Sequence, residues 1–280
     1  MAFILIIASL VFLWIVSLCK VLLLPRIPFG NHFTHNNGNA SFFVSPQFLL
    51  FLISLVFSGR AFRKRNALLV IAHPDDESMF FTPTINFLTS KGHNVQILCL
   101  SIGDADGKGN IRKQELFQAC VALKVPMQQV KIVNHPDLQD GFGKVWSHNL
   151  LAKIIEEEIT RCCIDMIITF DSHGVSGHCN HRDVHYGVCK LLHDTLQRDI
   201  EVWELVSTNI LRKYSGPVDI WLSIFLAMLH TNGTMQCLVN EHSRRSVIAM
   251  AQHSSQWVWF RKLFVALSSY TYMNTLRKVK

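Results

Sequence analysis

Between residues 66 and 206 the chain alternates short apolar runs with longer amphipathic segments. The apolar runs predict strands at 66–72, 95–100, 130–133, 165–170 and 202–206. The segments between them predict helices at 78–91, 111–123, 149–161 and 181–198. Because parallel strands need crossover helices, this alternation predicts a Rossmann-like α/β fold, a mostly parallel sheet with helices on both faces.

The alternation ends near residue 214. Two apolar, tryptophan-containing runs follow, at 218–229 and 256–267, and the second carries a basic pair. Apolar length alone does not separate core helices from elements that dip into a bilayer, so both interpretations stay open. We predict a catalytic domain over 66–280 whose aromatic C-terminal part is either core or membrane-proximal.

The N-terminal segment predicts a membrane helix that precedes the domain. Residues 2–24 contain one charged side chain, Lys20, and are long enough to span a bilayer core. No positive region precedes them, which favours an uncleaved transmembrane anchor at 1–25 over the alternative, a signal peptide. Lys20 and Arg26 follow the apolar run, so the positive-inside rule places the rest of the chain on the cytoplasmic side.

Residues 26–65 are predicted to be a linker. They include a second apolar run at 42–57, which is short for a membrane helix and could instead be interfacial. A basic cluster follows it, formed by Arg60, Arg63, Lys64 and Arg65. Basic clusters beside apolar segments are typical of the cytoplasmic side of a membrane.

Composition narrows the class of partner. The 280-residue chain has a formal net charge of +7 and is 49% hydrophobic, which allows a nucleic acid or a membrane surface as partner. No recognition helix, zinc finger or RNA-binding module is recognisable, so we expect a membrane and no nucleic acid. The eight cysteines form no CxxC pair, and we predict reduced thiols.

Two polar clusters follow predicted strands. A histidine and three acids lie at 73–77, directly after the first strand, and four histidines lie at 173–185, after the fourth. In open α/β sheets, sites form at the carboxyl ends of strands, where these two clusters can meet. Zinc favours histidine and aspartate, and a catalytic zinc site keeps three protein ligands and one open position. The pattern therefore predicts a divided metal site.

Two motifs within these clusters resemble those of the LmbE/PIG-L family of zinc-dependent de-N-acetylases. They are Ala-His-Pro-Asp-Asp-Glu at 72–77 and Gly-His-Cys-Asn-His at 177–181. Further segments resemble the family's eukaryotic branch, which acts on N-acetylglucosaminyl-phosphatidylinositol: 103–109, 111–116, 169–171, 174–177 and 218–221. The resemblance covers about residue 68 to the C-terminus and implies an LmbE-like fold.

The resemblance also implies residue roles. His73, Asp76 and His181 match the metal ligands, here expected to hold Zn²⁺, although another divalent metal suits the same donors. Asp75 matches the general base. His178 matches the histidine that stabilises the tetrahedral intermediate. The expected reaction is hydrolysis of the acetamide, with the amine proton supplied by Asp75 or His178.

Four further residues are candidates for support or substrate binding. Asp171 is a candidate partner of one of the motif histidines. Arg112 could meet a phosphate or an inositol hydroxyl, or lie on a helix surface. Asp140 could bind a sugar hydroxyl or serve a turn. Glu77 could bond to the backbone, orient the adjacent carboxylate, or be a first-turn acid favoured by the helix dipole.

The resemblance implies a function and a place. We expect deacetylation of N-acetylglucosaminyl-phosphatidylinositol to glucosaminyl-phosphatidylinositol and acetate, the second step of GPI-anchor biosynthesis, at the cytoplasmic face of the endoplasmic reticulum membrane. Two alternatives stay open: a deacetylase of a soluble N-acetylamino sugar, and an inactive membrane-anchored metal-binding scaffold.

Overall fold

The computed structural model describes residues 9, 11–17, 19, 64–194, 200–229 and 234–279. The anchor predicted at 1–25 and the linker predicted at 26–65 lie largely outside these residues. Residues 11–17 are helical. Within the described part of the chain, no helix combines the length and the apolar character needed to cross a membrane.

One seven-stranded sheet organises the described chain, in the order β3-β2-β1-β4-β5-β7-β6. The strands are β1 (Asn66–Ile71), β2 (Asn94–Cys99), β3 (Val130–Ile132), β4 (Met166–Phe170), β5 (Glu201–Leu205), β6 (Met235–Val239) and β7 (Met273–Lys278). Strands β1 to β5 pair in parallel, whereas β7 runs antiparallel to both β5 and β6. The predicted parallel α/β sheet is confirmed, and two antiparallel strands that the pattern did not predict extend it.

Helices cover both faces of the sheet centre. Side chains alternate between faces along a strand, yet every residue of β4 is buried, and so is every residue of β1 after Asn66. The helices are α1 (Asp76–Met79), α2 (Thr82–Ser90), α3 (Gly109–Ala122), α4 (His148–Cys162), α5 (Gly174–Gly177), α6 (Cys179–Asp194), α7 (Ile210–Lys213), α8 (Asp219–Leu229), α9 (Ser243–Gln252), α10 (Trp259–Leu267) and α11 (Ser269–Tyr272).

Two differences between the predicted and observed helices affect the site. The single helix predicted at 78–91 is divided into α1 and α2, because Pro83 stands at the start of α2 where its missing N–H and fixed φ suit a new first turn. The helix predicted at 181–198 begins earlier, at Cys179, and its predicted end lies outside the described residues. This earlier start places His181 in the first turn of α6 and His178 directly before the helix.

The two C-terminal apolar runs form α8 and α10. Each buries one face, with Ile220 and Ile224 inside for α8 and Val265 for α10, and each leaves large apolar side chains exposed. The buried face of each helix packs in the core, whereas the membrane-proximal interpretation of the exposed faces stays a prediction. The carboxyl ends of the adjacent strands β1 and β4 bring the two predicted polar clusters to one edge of the sheet.

Candidate active site

The first motif forms a strained turn after β1. Asp75 has φ 125° and ψ −21°, a backbone conformation that a side chain with a Cβ rarely adopts. The buried Glu77 carboxylate holds this turn, because its Oε2 accepts a hydrogen bond from the Asp75 backbone N–H at 3.0 Å. Of the interpretations left open for Glu77, the structure shows backbone bonding.

A histidine from the C-terminal part supports Glu77. His253 Nε2 lies 2.7 Å from Glu77 Oε1, which also accepts from Ser78 Oγ at 2.6 Å. Burial lowers the pKa of His253, but the charge of Glu77 and the hydrogen bond to it raise that pKa overall. Both side chains are fully buried, so this contact inside the protein fixes the base of the turn.

Asp76 and His181 face each other. His181 Nε2 lies 3.1 Å from Asp76 Oδ1, while His181 Nδ1 lies 3.1 Å from the Gly174 carbonyl oxygen. A carbonyl accepts only, so Nδ1 carries the proton and Nε2 of the neutral ring presents a lone pair to a carboxylate. Two acceptors at this distance need a proton or a cation between them. Burial raises the pKa of Asp76, but His181 and His73 lower it overall, which keeps the carboxylate charged.

His73 is held by two oxygen acceptors. Its Nε2 lies 3.0 Å from Asp140 Oδ1 and 3.1 Å from Asn180 Oδ1, and its Nδ1 lies 3.9 Å from Asp76 Oδ2. Because both close partners accept, Nε2 carries a proton and Nδ1 is the nitrogen with a free lone pair. Burial raises the pKa of Asp140, but the bond to His73 lowers it to about 2. A carboxylate behind a histidine in this way is typical of metal sites.

His178 completes the histidine group. One ring nitrogen from each of His73, His178 and His181 lies within 4.8 Å of the others. The Asn180 backbone N–H points at His178 Nδ1 at 3.3 Å, so in the neutral ring Nε2 carries the proton. Burial, followed by the charges of His73 and His181, lowers the pKa of His178 to about 4. Near neutral pH this side chain is therefore an uncharged N–H donor.

The Asp75 carboxylate lies between two arginines. Arg261 from α10 bonds directly to Asp75 Oδ2, and Arg112 Nη2 lies 3.8 Å from the same oxygen. Burial raises the pKa of Asp75, against the lowering effect of the two guanidinium groups, and the net shift is upward. A carboxyl group whose pKa is raised is better able to accept and return a proton near neutral pH.

Arg112 braces the site from α3. Its guanidinium donates to the Pro74 carbonyl at 2.9 Å, to the Gly103 carbonyl at 2.8 Å and to Asp140 Oδ2 at 3.1 Å. The side chain is largely buried, so the surface interpretation of Arg112 does not apply. Asp140 in turn links Arg112 to His73. Asp140 therefore has a structural role in the site that neither the predicted turn nor the predicted sugar contact included.

Asp171 organises the loop of the second motif. Its Oδ1 accepts from the backbone N–H groups of His173 and Gly174, both at 3.1 Å, and from Ser207 Oγ at 2.5 Å. Its Oδ2 accepts from the Ser207 backbone N–H at 2.7 Å. The predicted support of a motif histidine therefore runs through the loop, since Gly174 also binds His181 through its carbonyl oxygen.

A cavity of about 360 Å³ opens beside the histidines. The loops after β2 and β3 line it, at 101–105, 134–136 and 138–140, together with Lys144. Asp140 belongs to both the cavity wall and the histidine group. The cavity is therefore placed to receive a small polar group next to the candidate site.

Three supporting residues come from the C-terminal part and were not predicted: His253, Gln256 and Arg261. Gln256 donates to the Pro74 carbonyl at 3.1 Å, the same oxygen that Arg112 binds. The basic pair within the aromatic run at 256–267 was the available signal for Arg261. No local pattern marks His253, because its partner lies 176 positions away in the sequence.

Fold and site together define an α/β enzyme with a candidate metal-binding site at the carboxyl edge of a parallel sheet. The family described as PIG-L, GlcNAc-PI de-N-acetylase, matches residues 68–192. A protein of Dictyostelium discoideum, named a probable N-acetylglucosaminyl-phosphatidylinositol de-N-acetylase, is 34% identical over 78% of this chain and 94% of its own. The de-N-acetylase of the same name from Bos taurus is 37% identical over 75% of this chain and 81% of its own.

The chain therefore belongs to the GlcNAc-PI de-N-acetylase family, and the resemblance seen in its motifs is confirmed. The fold is shared with more distant deacetylases. The zinc-inhibited form of teicoplanin deacetylase Orf2 superposes with a TM-score of 0.53 at 12% identity, over 76% of this chain and 97% of its own.

Proposed function

We propose that the protein is a metal-dependent hydrolase that deacetylates N-acetylglucosaminyl-phosphatidylinositol, releasing acetate and glucosaminyl-phosphatidylinositol in GPI-anchor biosynthesis. The observation that carries the proposal is the meeting of the two motifs, in which His181 Nε2 and Asp76 Oδ1 face each other at 3.1 Å. The names of the two relatives supply the substrate.

The donor set fits a zinc ion held by His73, Asp76 and His181. Two imidazoles and a carboxylate are donors that zinc accepts, and the facing acceptors of His181 and Asp76 require a cation or a proton. Asp140 behind His73 and the Gly174 carbonyl behind His181 orient the two rings. When bound, zinc acts as a Lewis acid that polarises the amide carbonyl and makes water nucleophilic near neutral pH.

Asp75 is the proposed general base. Its carboxylate removes a proton from the attacking water, while the oxygen forms a bond to the acetamide carbon. The raised pKa of Asp75 suits this transfer, and Arg261 holds the carboxylate in place. On collapse of the tetrahedral intermediate the C–N bond breaks, acetate forms, and Asp75 returns the proton to the departing amine.

His178 is proposed to stabilise the developing oxyanion. The Asn180 N–H at Nδ1 leaves Nε2–H free to donate, and that same tautomer makes Nε2 a poor metal ligand. Because its pKa is lowered to about 4, the His178 ring is uncharged near neutral pH. It can donate this hydrogen bond to the oxyanion, but it holds no additional proton to transfer to the amine. These contacts favour Asp75 over His178 as the acid of the second step.

A membrane location belongs to the same proposal. The apolar segment at 2–24 would anchor the chain in the endoplasmic reticulum membrane, with the domain on the cytoplasmic face. A lipid substrate in that membrane would then present its headgroup to the cavity beside Asp140, in which Lys144 supplies a positive charge.

The test combines metal content with acetate release from the lipid. Asp75→Ala should keep zinc and lose roughly a hundredfold or more of turnover, whereas His181→Ala should lose both. His193→Ala, which changes an exposed histidine later in the same helix as His181, is the matched control and should lose neither. A zinc-loaded, folded wild-type protein that released no acetate would refute the proposed function.

An assay of the water-soluble headgroup beside the lipid distinguishes the proposed function from the alternative, a deacetylase of a soluble amino sugar. The proposal expects a higher kcat/KM for the lipid in a bilayer. Equal or better turnover of the soluble compound would instead favour the alternative.

A further inference from the structure

Helix α10 (Trp259–Leu267) exposes an apolar face next to the site. Trp259 is 72% exposed, Phe260 54% and Leu263 51%, whereas Val265 on the opposite face is buried. Large side chains of this kind are usually removed from water. Their grouping on one helix indicates a surface that is covered in use.

Neighbouring elements continue this face. The Tyr214 and Phe264 rings meet edge to face at 6.1 Å, which joins the segment after α7 to α10. Gly216 lies close to both Trp14 and the end of α10, since a Cβ at Gly216 would lie 2.9 Å from Trp14 Nε1 and 3.5 Å from the Leu267 carbonyl oxygen. The helical residues 11–17 therefore pack near the end of α10.

A second contact fixes the N-terminal residues there. Trp221 of α8 donates from Nε1 to Ser17 Oγ at 2.8 Å, and Ser17 is buried. We call the exposed apolar side chains of α10 and of the adjoining Tyr214 the apolar face: Tyr214, Trp259, Phe260, Leu263 and Leu267.

We propose that the apolar face lies in the interface of a lipid bilayer and delivers a membrane-resident headgroup to the active site; the delivery rests on the proposed function. Helix α10 combines tryptophan, phenylalanine and leucine with Arg261 and Lys262, the composition of a helix that lies in a membrane interface. Residues 11–17, which pack on this face, belong to the segment 2–24 with its single charge at Lys20. A bilayer, rather than a protein partner, is the surface that such a segment enters.

The basic side chains suit an anionic lipid surface. Lys262, an exposed residue of α10, lies 5.6 Å from the Trp257 ring centroid. Positive charge next to an apolar interfacial helix adds attraction for phosphate headgroups.

Helix α10 connects the apolar face to the active site through Arg261. Arg261 lies between Phe260 and Lys262 in α10, and its guanidinium bonds to the Asp75 carboxylate. The bilayer surface would therefore lie one side chain away from the proposed base. A lipid headgroup could reach the site while its acyl chains stay in the membrane.

The activity test uses the full chain in phosphatidylcholine vesicles and two substrates, the bilayer lipid and its water-soluble headgroup. The double variant Phe260→Glu with Leu263→Glu should lower kcat/KM for the bilayer lipid at least tenfold and leave the soluble headgroup within twofold. Val121→Glu is the matched control, since Val121 is 55% exposed in α3, away from the apolar face, and should change neither value. Equal changes with both substrates, or no change with the lipid, overturn the proposal.

A fluorescence test needs no turnover and so stays decisive even if the wild type released no acetate. The Trp259 emission is obtained as the difference between wild type and Trp259→Phe, each as full chain in vesicles with and without brominated acyl chains. The difference spectrum should be largely quenched by the brominated lipid. A difference spectrum that brominated lipid leaves unquenched places Trp259 in water and overturns the proposal.

Discussion

The strained turn at Asp75 makes a prediction that separates stability from catalysis. Asp75→Gly and Asp75→Ala both remove the carboxylate and its contacts with Arg261 and Arg112, so the difference between them isolates the backbone. At φ 125° a residue with a Cβ carries strain of about 1–3 kcal/mol that glycine does not carry. We therefore expect Asp75→Gly to be the more stable of the two variants.

The magnitude follows from two opposing effects. Glycine avoids this strain in the folded state, but it loses about 0.5–1 kcal/mol more chain entropy on folding than alanine does. The net advantage over alanine is about 1 kcal/mol, or roughly 2–4 °C in the unfolding temperature of a domain of this size. Both variants should lose turnover, since neither carries the proposed base.

Thermal unfolding followed by circular dichroism, in the same detergent and with zinc saturating, gives the comparison. Lys124→Gly is the control, because Lys124 also has positive φ, 64°, at the end of α3 away from the site. It should gain stability without loss of turnover. If Asp75→Ala unfolded at the same or a higher temperature than Asp75→Gly, the strain assigned to this turn would be wrong.

Three further predictions concern other parts of the chain. Burial raises the pKa of Glu115, but hydrogen bonds from two serines lower it overall. The wild type should therefore be more stable than Glu115→Gln above the unfolded pKa of about 4.3, and this advantage should be lost as the pH falls through the lower folded pKa. Urea unfolding of both proteins between pH 3 and 7 measures the difference. Gly187→Ala places a Cβ 2.6 Å from Leu151 Cβ between α4 and α6, and should lower the free energy of unfolding by about 1–3 kcal/mol. Gly174→Ala places a Cβ 2.8 Å from His181 Cβ, and should weaken zinc affinity about 10–100-fold in a chelator competition while turnover at saturating zinc falls less.

The parallel half of the fold was predictable because its strands are apolar throughout and its helices fill the intervals between them. The antiparallel strand β7 was not, since Asn274 and Thr275 are polar and yet buried. Asn274 Oδ1 accepts from Thr84 Oγ1 at 2.7 Å, and its Nδ2 donates to the Phe80 carbonyl at 2.8 Å. Such satisfied polar positions carry no hydrophobic pattern, because their partners are distant in the sequence.

The candidate site was likewise predictable only in part. The motif residues were found because a histidine and several acids at a strand end indicate chemistry. Their supports were found only in part. Asp140 was a candidate, but its contact with His73 was not predicted, and His253, which holds Glu77, was missed because these contacts join separate loops. The alternatives for Arg112 and Glu77 could be decided only from burial and hydrogen bonds, which local sequence does not encode for polar side chains.

The position of β7 has a consequence for how the chain is made. It pairs with β5 on one side and β6 on the other, so β5 keeps an open edge until the residues after Met273 have left the ribosome. At about 5–20 residues per second, several seconds separate the synthesis of β5 and β7. During that interval an unpaired strand edge is available to other chains, and a premature stop before β7 would leave it open permanently. We expect nascent chains of this protein to depend on protection by chaperones late in synthesis.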